Sequence, residues 1–470
     1  MVNILGANSV SGGYEVDNSL RFDKGSSAHL SRTLADSNEK IWTYSTWIKN
    51  CIGAVEPVLL RISPNDDTID NIVISTSGNL QYQVRRAPTN YAYVNTNQKL
   101  RDPSAWYHIV VAVDTTQSTN TNRIKFYING NQVTSFANAI YPDQNYAGAI
   151  NGNSEHVISE MRETGGDGTR YSDMYLAETH FIDGVAAQTD FGEFDDNGVW
   201  IPKAYEGSYG TNGFYLEYKQ TGTDADASGM GADTSGEDNH FTSAGLAATD
   251  VTTDTCTNNF ATLNPLDGGQ AAVTLEEGNT LLNMGSWSSW GYTASTFYPT
   301  SGKWYLETKL SNTSAWFIGV VEDDNTAFYN LAAAYPTSSN GGYALYSDGR
   351  KAVAGSGLAT YTVDCRTAGA IIGMAIDLDN NRLYFSKNNG WSDGDGSADA
   401  STPNAYLTLP ANKTFRIIWS SDGVDFSVNF GNPPYANSSS ASDANSYGDF
   451  EYAPPSGYYS LCTKNLAEFG

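Results

Sequence analysis

The chain has 470 residues, of which 40% are hydrophobic and 12% aromatic, so two or three domains with sizeable cores are expected. Lys and Arg total 26 against 52 Asp and Glu, and the formal net charge of −26 argues against a nucleic-acid-binding surface because phosphates would be repelled. The 45 glycines and 30 tyrosines, with only 17% charged residues, indicate many short strands joined by tight turns. We therefore predict an all-β fold. Solubility and adaptation to a salty medium explain the acidity equally well.

The four cysteines, at positions 51, 256, 365 and 462, form no C-x-x-C pair and have no histidine cluster beside them. They predict neither a zinc site nor a disulfide framework, and such sparseness is typical of a protein that folds in a reducing cytoplasm. The first residues, MVNILGANSVSGGYEVDNS, lack the basic region and apolar run of a signal peptide. No later stretch is apolar enough to span a bilayer, so we expect no membrane insertion.

A predicted hairpin, AWYHIVVAVDTTQSTNTNRIKFYINGNQV, runs from Ala105 to Val133. Its first strand is apolar on both faces apart from His108, as expected of a strand between two layers. Its second strand alternates apolar and polar residues and stops at Asn129-Gly130, a pair that accepts positive φ. A shorter version, IIGMAIDLDNNRLYFSKNNG, returns from Ile371 to Gly390. Two such hairpins far apart predict two β-sandwiches.

The first half of the chain carries alternating segments in a recognisable order. WTYSTWIKN, then WYHIVVAVD with NRIKFYINGNQV, then YLAETHFIDG together resemble a laminin-G-like, concanavalin A-like jelly roll, over roughly Ser19 to Tyr218. We assign residues 1–220 to this domain. Residues 221–267 are rich in Asp, Thr, Ser and Gly, with no Lys or Arg between Lys219 and Lys303, and they predict an extended acidic connector that packs along one or both sandwiches.

The last 203 residues, 268–470, resemble a SPRY domain, which is also an antiparallel β-sandwich. The resemblance lies in the GKWYLE strand, the GYALYSDGRK strand and turn, and the DLDNNRLYFSKNNG hairpin. A tail, FEYAPPSGYYSLCTKNL, is expected to close this fold. The predicted architecture is therefore two antiparallel sandwiches joined by an acidic connector.

The tandem as a whole resembles structural proteins of tailed bacteriophages, especially marine ones. This resemblance implies a virion surface component made in the host cytoplasm: a tail fibre, a tail-tip protein or a capsid decoration that attaches to host-surface glycan or ornaments the particle. It also implies contacts with other virion proteins and a homo-oligomer, with a trimer favoured. Because no heptad stalk precedes Ser19, we expect docking by the N-terminal segment rather than a free-standing fibre.

Catalytic patterns are absent from the sequence. Concanavalin A-like glucanases carry E-x-D-x-x-E or E-x-D-x-E on one strand, and the nearest strings here, Glu193-Phe194-Asp195 and Glu322-Asp323-Asp324, lack the third carboxylate. The five histidines are isolated in sequence, and there is no G-x-S-x-G, H-E-x-x-H, P-loop or dinucleotide motif. We predict a protein that is not an enzyme and needs no cofactor. A glycan depolymerase with scattered carboxylates stays open as an alternative.

Calcium binding is implied by the laminin-G resemblance, because such jelly rolls often hold Ca²⁺ at a loop edge. Asp114 closes the first strand of the hairpin and Asp173 precedes the YLAETHF strand, so both are candidate ligands. The alternative is that both are ordinary solvated turn residues.

Aromatic residues in loops are the candidate sugar-binding groups, because sugar recognition combines flat apolar faces with polar side chains. They are Trp287, Trp290 and Tyr292 in GSWSSWGY, Trp391 after Asn389-Gly390, and Tyr91 and Tyr93 in the first domain. Each could instead cover its own core. An alternative hypothesis is that the protein binds another protein rather than a sugar. SPRY-like loops around Tyr346, Asp348 and Trp391 would then bind another virion subunit.

Overall fold

The computed structural model describes residues 13–53, 55–65, 67–161, 169–187, 190–269, 273–284, 290–324, 342–354, 356–399 and 401–470. Within these residues nearly all regular structure is β-strand and almost all pairing is antiparallel, which confirms the predicted all-β class. The chain divides into two compact units, the first ending at Asn258 and the second beginning at Asn259. In the described part of the chain, no helix has the length and apolar character needed to cross a membrane.

The first unit contains short 3-10 turns at Asn120–Asn122 and Ala248–Asp250. Its strands are β1 (Ser19–Phe22), β2 (His29–Thr33), β3 (Ile41–Asn50), β4 (Val58–Asn65), β5 (Thr68–Ile74), β6 (Asn79–Arg86), β7 (Thr89–Lys99), β8 (Trp106–Asp114), β9 (Ile124–Ile128), β10 (Asn131–Gln132), β11 (Phe136–Ile140), β12 (Glu155–Ile158), β13 (Glu160–Met161), β14 (Arg170–Tyr171), β15 (Met174–Asp183), β16 (Gly192–Phe194), β17 (Trp200–Pro202), β18 (Phe214–Leu216), β19 (Thr242–Ala244) and β20 (Val251–Thr252).

Two large sheets enclose the core of the first unit. The order in the first sheet is β10-β9-β8-β3-β15-β1-β20, with β18 also on β15, and the order in the second is β11-β7-β6-β5-β4-β12-β2-β19. Alternate residues of both sheets, such as Trp42, Val111 and Ile72, meet in one buried cluster. The outer side of the first sheet is covered as well, where Val110 and Tyr127 pack with Phe191. This cover explains why β8 is apolar on both faces.

The turn of the predicted hairpin is confirmed, since Asn129 and Gly130 have φ values of 48° and 73°. Its second strand departs from a simple division into an apolar and a polar face, because Tyr127, which alternates with Phe126 and Ile128, is also buried and only 5% exposed. In the turn that ends the second hairpin, the residues with positive φ are Asn388 and Asn389, and Gly390 is not one of them.

Much of the predicted connector is part of the first sandwich. β20 pairs with β1 at the edge of the first sheet, and β19 pairs with β2 at the edge of the second. Its acidic residues meet buried cations: Asp254 lies 2.7 Å from Lys49 and Asp250 lies 3.3 Å from Arg21. Part of the negative charge of this segment is therefore balanced by cations that lie close in space but far away in sequence.

The second unit ends in a short helix, α1 (Thr463–Phe469). Its strands are β21 (Leu263–Gly269), β22 (Thr274–Glu276), β23 (Leu281–Asn283), β24 (Gly291–Ser295), β25 (Lys303–Leu310), β26 (Trp316–Glu322), β27 (Gly342–Tyr346), β28 (Arg350–Ala352), β29 (Ala359–Thr360), β30 (Ile371–Asp377), β31 (Arg382–Lys387), β32 (Gly390–Trp391), β33 (Leu407–Thr408), β34 (Phe415–Ser421), β35 (Phe426–Asn429) and β36 (Tyr459–Ser460).

Two sheets also form the second unit, in the orders β21-β24-β34-β26-β27-β28-β29 and β22-β23-β35-β25-β30-β31-β32. β33 adds to β31, and β36 pairs in parallel with β25. Trp304, Trp316 and Trp419 are fully buried in the core between them. The four cysteines of the chain are buried and none forms a disulfide.

Candidate functional site

The outer side of the second sheet of the first unit carries two continuous rows of side chains. Neighbouring strands place Arg61, Asn71, Gln83, Tyr93 and Ile140 side by side, each in register with the next. Two residues along the strands, a second row contains Val58, Val73, Gln81, Asn95 and Asn138. We call these two rows the polar face. It spans β4, β5, β6, β7 and β11, about 19 Å at the usual strand spacing.

The polar face presents hydrogen-bonding groups of both kinds. The Tyr93 hydroxyl donates to Gln81 Oε1 at 3.2 Å, and Gln83 Nε2 donates to Asn90 Oδ1 at 2.9 Å. The carbonyl oxygens of Asn71 and Asn95 are shielded from solvent and accept no hydrogen bond from the protein.

Exposure increases across the polar face from one side to the other. Asn71 is 4% exposed and Ile140 is 48% exposed. On the buried side, Met161 of β13 contacts Val58 and Val73, and β13 forms a small hairpin with β14. The face is therefore open over β6, β7 and β11 and bounded by this hairpin, as in a shallow cleft.

The tyrosines predicted for a loop of the first domain, Tyr91 and Tyr93, both lie in strand β7, which corrects that expectation. Tyr93 belongs to the polar face. Tyr91 lies at a bulge between β6 and β7, is 40% exposed and stacks on Tyr146 with ring centroids 5.1 Å apart. Only Tyr93 is thus combined with the amide groups.

Sequence reasoning missed the amides of the polar face, namely Asn71, Gln81, Gln83 and Asn95. The signal was present in NLQYQV, where glutamines alternate with core residues. It could not identify a site because the rows depend on which residues of separate strands are in register.

In the second unit, the structure brings together several of the predicted aromatic residues. Trp290 packs against Phe317 at 5.5 Å, and Phe317 stacks on Tyr346 at 4.5 Å. On the next strand, the Arg350 guanidinium lies 5.2 Å from the Tyr346 ring and forms an ion pair with Asp348. Because β27 lies between β26 and β28, neighbours flank the Tyr346 ring on both sides and it is a poor platform for sugar stacking.

The other aromatic candidates have different positions from those expected. Tyr292 lies in strand β24 and is 6% exposed. Trp391 lies in strand β32, is 2% exposed and packs with Tyr305 and Phe450, so its ring cannot stack on a ligand. Both placements correct the prediction of loop residues. Trp287 lies outside the described residues.

The two candidate calcium ligands are occupied by protein groups. The Asp114 carboxylate accepts hydrogen bonds from the backbone and hydroxyl of Thr116 and from Gln117. Asp173 is 5% exposed and forms an ion pair with Lys24. Among the residues that the structure describes, no three His, Cys, Asp or Glu side chains are grouped to hold a metal ion. Both carboxylates therefore have structural partners, and calcium binding stays a prediction.

Two buried glutamates have pKa values close to neutrality. Glu178 of β15 accepts hydrogen bonds from the hydroxyls of Tyr14 and Tyr215 at 3.0 and 2.7 Å, and burial raises its pKa to about 7. Glu307 of β25 accepts the backbone N–H groups of residues 451–452 at 2.9 and 2.8 Å, and burial raises its pKa to about 7. Each glutamate anchors a segment that covers the side of its sheet away from the core.

Residues 22–163 match the family model described as the Concanavalin A-like lectin/glucanases superfamily. The match confirms the resemblance of the first unit, and the polar face lies in this region. No curated protein matches the sequence.

Similar solved structures include SPRY domains and a pentraxin. The SPRY domain of human HERC1 is 14% identical, with 35% of this chain and 96% of that chain covered and a TM-score of 0.27. The TRIM65 PSpry domain is 12% identical, with 36% and 89% covered and a TM-score of 0.28. The heptameric SAP-like pentraxin from Limulus polyphemus is 18% identical, with 38% and 81% covered and a TM-score of 0.27. Because these TM-scores are low, we draw no functional conclusion from them.

Proposed function

We propose that the protein is a non-enzymatic glycan-binding protein that uses the polar face of its first unit. The observation that carries this proposal is the strand register, which places the partly exposed side chains of Gln81, Gln83, Tyr93 and Asn95 side by side on an open sheet face. Sugar hydroxyls donate and accept hydrogen bonds in alternation, so they complement amide groups and a tyrosine edge.

The setting of this binding is a virion surface, as the likeness to tailed-phage structural proteins implies. A single glycan contact on an open sheet face is weak. Display in many copies, as a trimer or on a repeating shell, makes such contacts strong because each bound copy raises the effective concentration of the next. Immunogold labelling of intact particles with antibody to this chain would test the setting, and labelling of no particle would contradict it.

The glycan-binding proposal is tested on a glycan array with the full chain and two variants, Gln83→Ala and Asn95→Ala. Each change removes about one hydrogen bond, so we expect affinity to fall about tenfold in each. The matched control is Gln132→Ala, an exposed amide on β10 of the other sheet. Binding of no glycan by the unaltered chain would refute the proposal, as would equal losses in the control.

We also propose that the protein does not cleave the glycan and does not need a metal ion to bind it. A separate experiment tests these two points. Incubation with a bound polysaccharide should release no reducing ends, and a chelator should leave affinity unchanged. Release of reducing ends would instead identify a depolymerase. Loss of binding with chelator, restored by Ca²⁺, would show that a calcium site exists after all.

A second candidate function is protein binding by the second unit. It is favoured by two exposed ion pairs, Arg350 with Asp348 at 2.6 Å and Arg366 with Asp364 at 2.5 Å. Charged pairs with some solvent access are typical of the polar rim of an interface. The double reversal Arg350→Glu and Arg366→Glu should abolish co-sedimentation with particles that lack this protein if another virion subunit binds here. Unchanged co-sedimentation would exclude this surface.

A further inference from the structure

A small cavity lies at the rim of the first sheet of the first unit, away from the polar face. It is lined by Ala112 and Asp114 of β8, Lys125 of β9, Gln117 and Asn122 of the loop between them, and Ala186. Ala112 and Lys125 are direct cross-strand neighbours, so the small alanine side chain leaves space beside the lysine. The cavity volume is about 110 Å³. This is below the roughly 300 Å³ of pockets that enclose a whole drug-sized ligand, so only one end group of a ligand fits.

The charge in this cavity is unusual for the chain. Lys125 is half-buried, and among the described residues it forms no ion pair and no hydrogen bond. The chain has 52 acidic and only 26 basic residues, so most basic side chains should have an acidic neighbour. A half-buried lysine with no anion within bonding distance is therefore unusual in this chain. Although Asp114 in the same cavity interacts with this charge, no described side chain bonds the ammonium group, so an external anion can form a charge-assisted hydrogen bond with it.

The remaining polar groups define what accompanies that anion. The side-chain amide of Asn122 has no partner among the described residues, and Gln117 uses its amino group to bond Asp114. Although partial burial opposes it, hydrogen bonds from Thr116 and Gln117 and the charge of Lys125 lower the pKa of Asp114. Asp114 therefore stays ionised and can accept only from donors such as hydroxyls. The lining therefore combines cationic and amide donors for a carboxylate with an acceptor for a hydroxyl.

We propose that this cavity binds the carboxylate and a neighbouring hydroxyl of a uronic acid residue, with Lys125 and Asn122 on the carboxylate and Asp114 on the hydroxyl. The site is separate from the polar face, and it does not depend on the function proposed for that face. The class of ligand is an acidic sugar, present at a chain end or as a side branch.

Saturation-transfer NMR with the full chain tests this proposal, using glucuronate and galacturonate as probes and glucose and galactose as neutral counterparts. We expect a signal from at least one uronate, none from the neutral sugars at the same concentration, and weaker binding as salt increases. Lys125→Gln should weaken uronate binding at least tenfold. The matched control is Lys99→Gln, an exposed lysine at the end of β7, which should bind as the unaltered chain does.

Two further outcomes separate this site from others. Gln83→Ala, on the polar face, should leave uronate binding intact, so failure of the function proposed for that face and failure of this inference are distinguishable. Equal uronate binding by Lys125→Gln and the unaltered chain would overturn the inference. Binding of glucose as strong as that of glucuronate, or of neither, would also overturn it.

Discussion

Lys49 and Asp254 form a buried ion pair in the first unit, with side chains 1% and 0% exposed and 2.7 Å apart. Trp106 also donates its indole N–H to Asp254 at 3.1 Å. Asp254→Asn keeps an acceptor for Trp106 but removes the charge opposite Lys49. Because a buried charge without its counter-charge is costly, we expect the free energy of unfolding to fall by about 3–5 kcal/mol, measured by urea denaturation.

The matched variant removes both charges. Lys49→Met combined with Asp254→Asn removes both charges of this pair and should recover most of the lost stability, because such pairs are often no better than apolar groups of similar volume. If the double variant were as unstable as the single one, packing rather than charge would be responsible.

His108 has a defined tautomer, because the Trp200 indole can only donate. That N–H lies 3.1 Å from His108 Nδ1, so Nε2 carries the proton and donates to Ser45 Oγ at 2.9 Å. Burial lowers the pKa of His108 to about 3. Since this is below the unfolded value of about 6.5, the contribution to stability is complete above pH 6.5 and is lost as pH falls toward 3. The ¹⁵N ring shifts of His108 should therefore stay those of the Nε2–H tautomer from pH 7.5 to 5. Titration near pH 6.5 would contradict this assignment.

At the scale of the element, a bulge in β15 determines how the first unit holds its N-terminal segment. The pairing of β15 with β3 shifts register between Ala177 and His180, and Glu178 there has a φ of 49°. This conformation points the Glu178 carboxylate at the hydroxyls of Tyr14 and Tyr215. Its pKa of about 7 exceeds the unfolded value of 4.5, so stability is lost as pH rises from about 4.5 through 7.

Glu178→Gln should therefore be more stable relative to the unaltered chain at pH 8 than at pH 4.5. The pKa difference corresponds to a change of about 3 kcal/mol at most, using 1.36 kcal/mol per unit. Thermal or urea unfolding at the two pH values measures it. Glu307→Gln should behave in the same way in the second unit. Glu206→Gln, at an exposed position of the first unit, is the matched control. A parallel pH profile for Glu178→Gln and the unaltered chain would refute this explanation.

Individual strands were more predictable than the surfaces they build. Alternation and turn residues located β3, β8, β9 and β15, because side chains in a strand change face at every residue. The polar face was not predictable, since it needs the register of five strands from Arg61 to Ile140. Trp391 was misplaced because sequence shows that it follows a turn but not that Tyr305 and Phe450 cover it. Asp114 was identified as a candidate, but its neighbour Lys125 became visible only with the β8–β9 pairing.

At the scale of the whole molecule, the acidic segment after residue 220 shows how composition misleads about domain limits. A segment without Lys or Arg is typical of a linker, yet β19 and β20 extend both sheets of the first sandwich. In addition, Asp250 forms an ion pair with Arg21, and Asp254 forms one with Lys49. The cations that balance these acids lie more than 200 positions earlier in the chain. Charge balance in this fold is therefore a property of tertiary structure rather than of local sequence.

The positions of β19, β20 and the two ion pairs predict where the chain can be truncated without loss of the first unit's fold. A fragment of residues 1–258 keeps both edge strands and both buried ion pairs, and we expect it to unfold cooperatively. A fragment of residues 1–220 loses them and leaves Arg21 and Lys49 without Asp250 and Asp254, so it should be largely insoluble or lack a cooperative thermal transition. Adding Lys49→Met to the shorter fragment should improve its folding, because a charge that has lost Asp254 is removed. Cooperative unfolding of the 1–220 fragment at the same temperature as the 1–258 fragment would show that residues 221–258 are a linker after all.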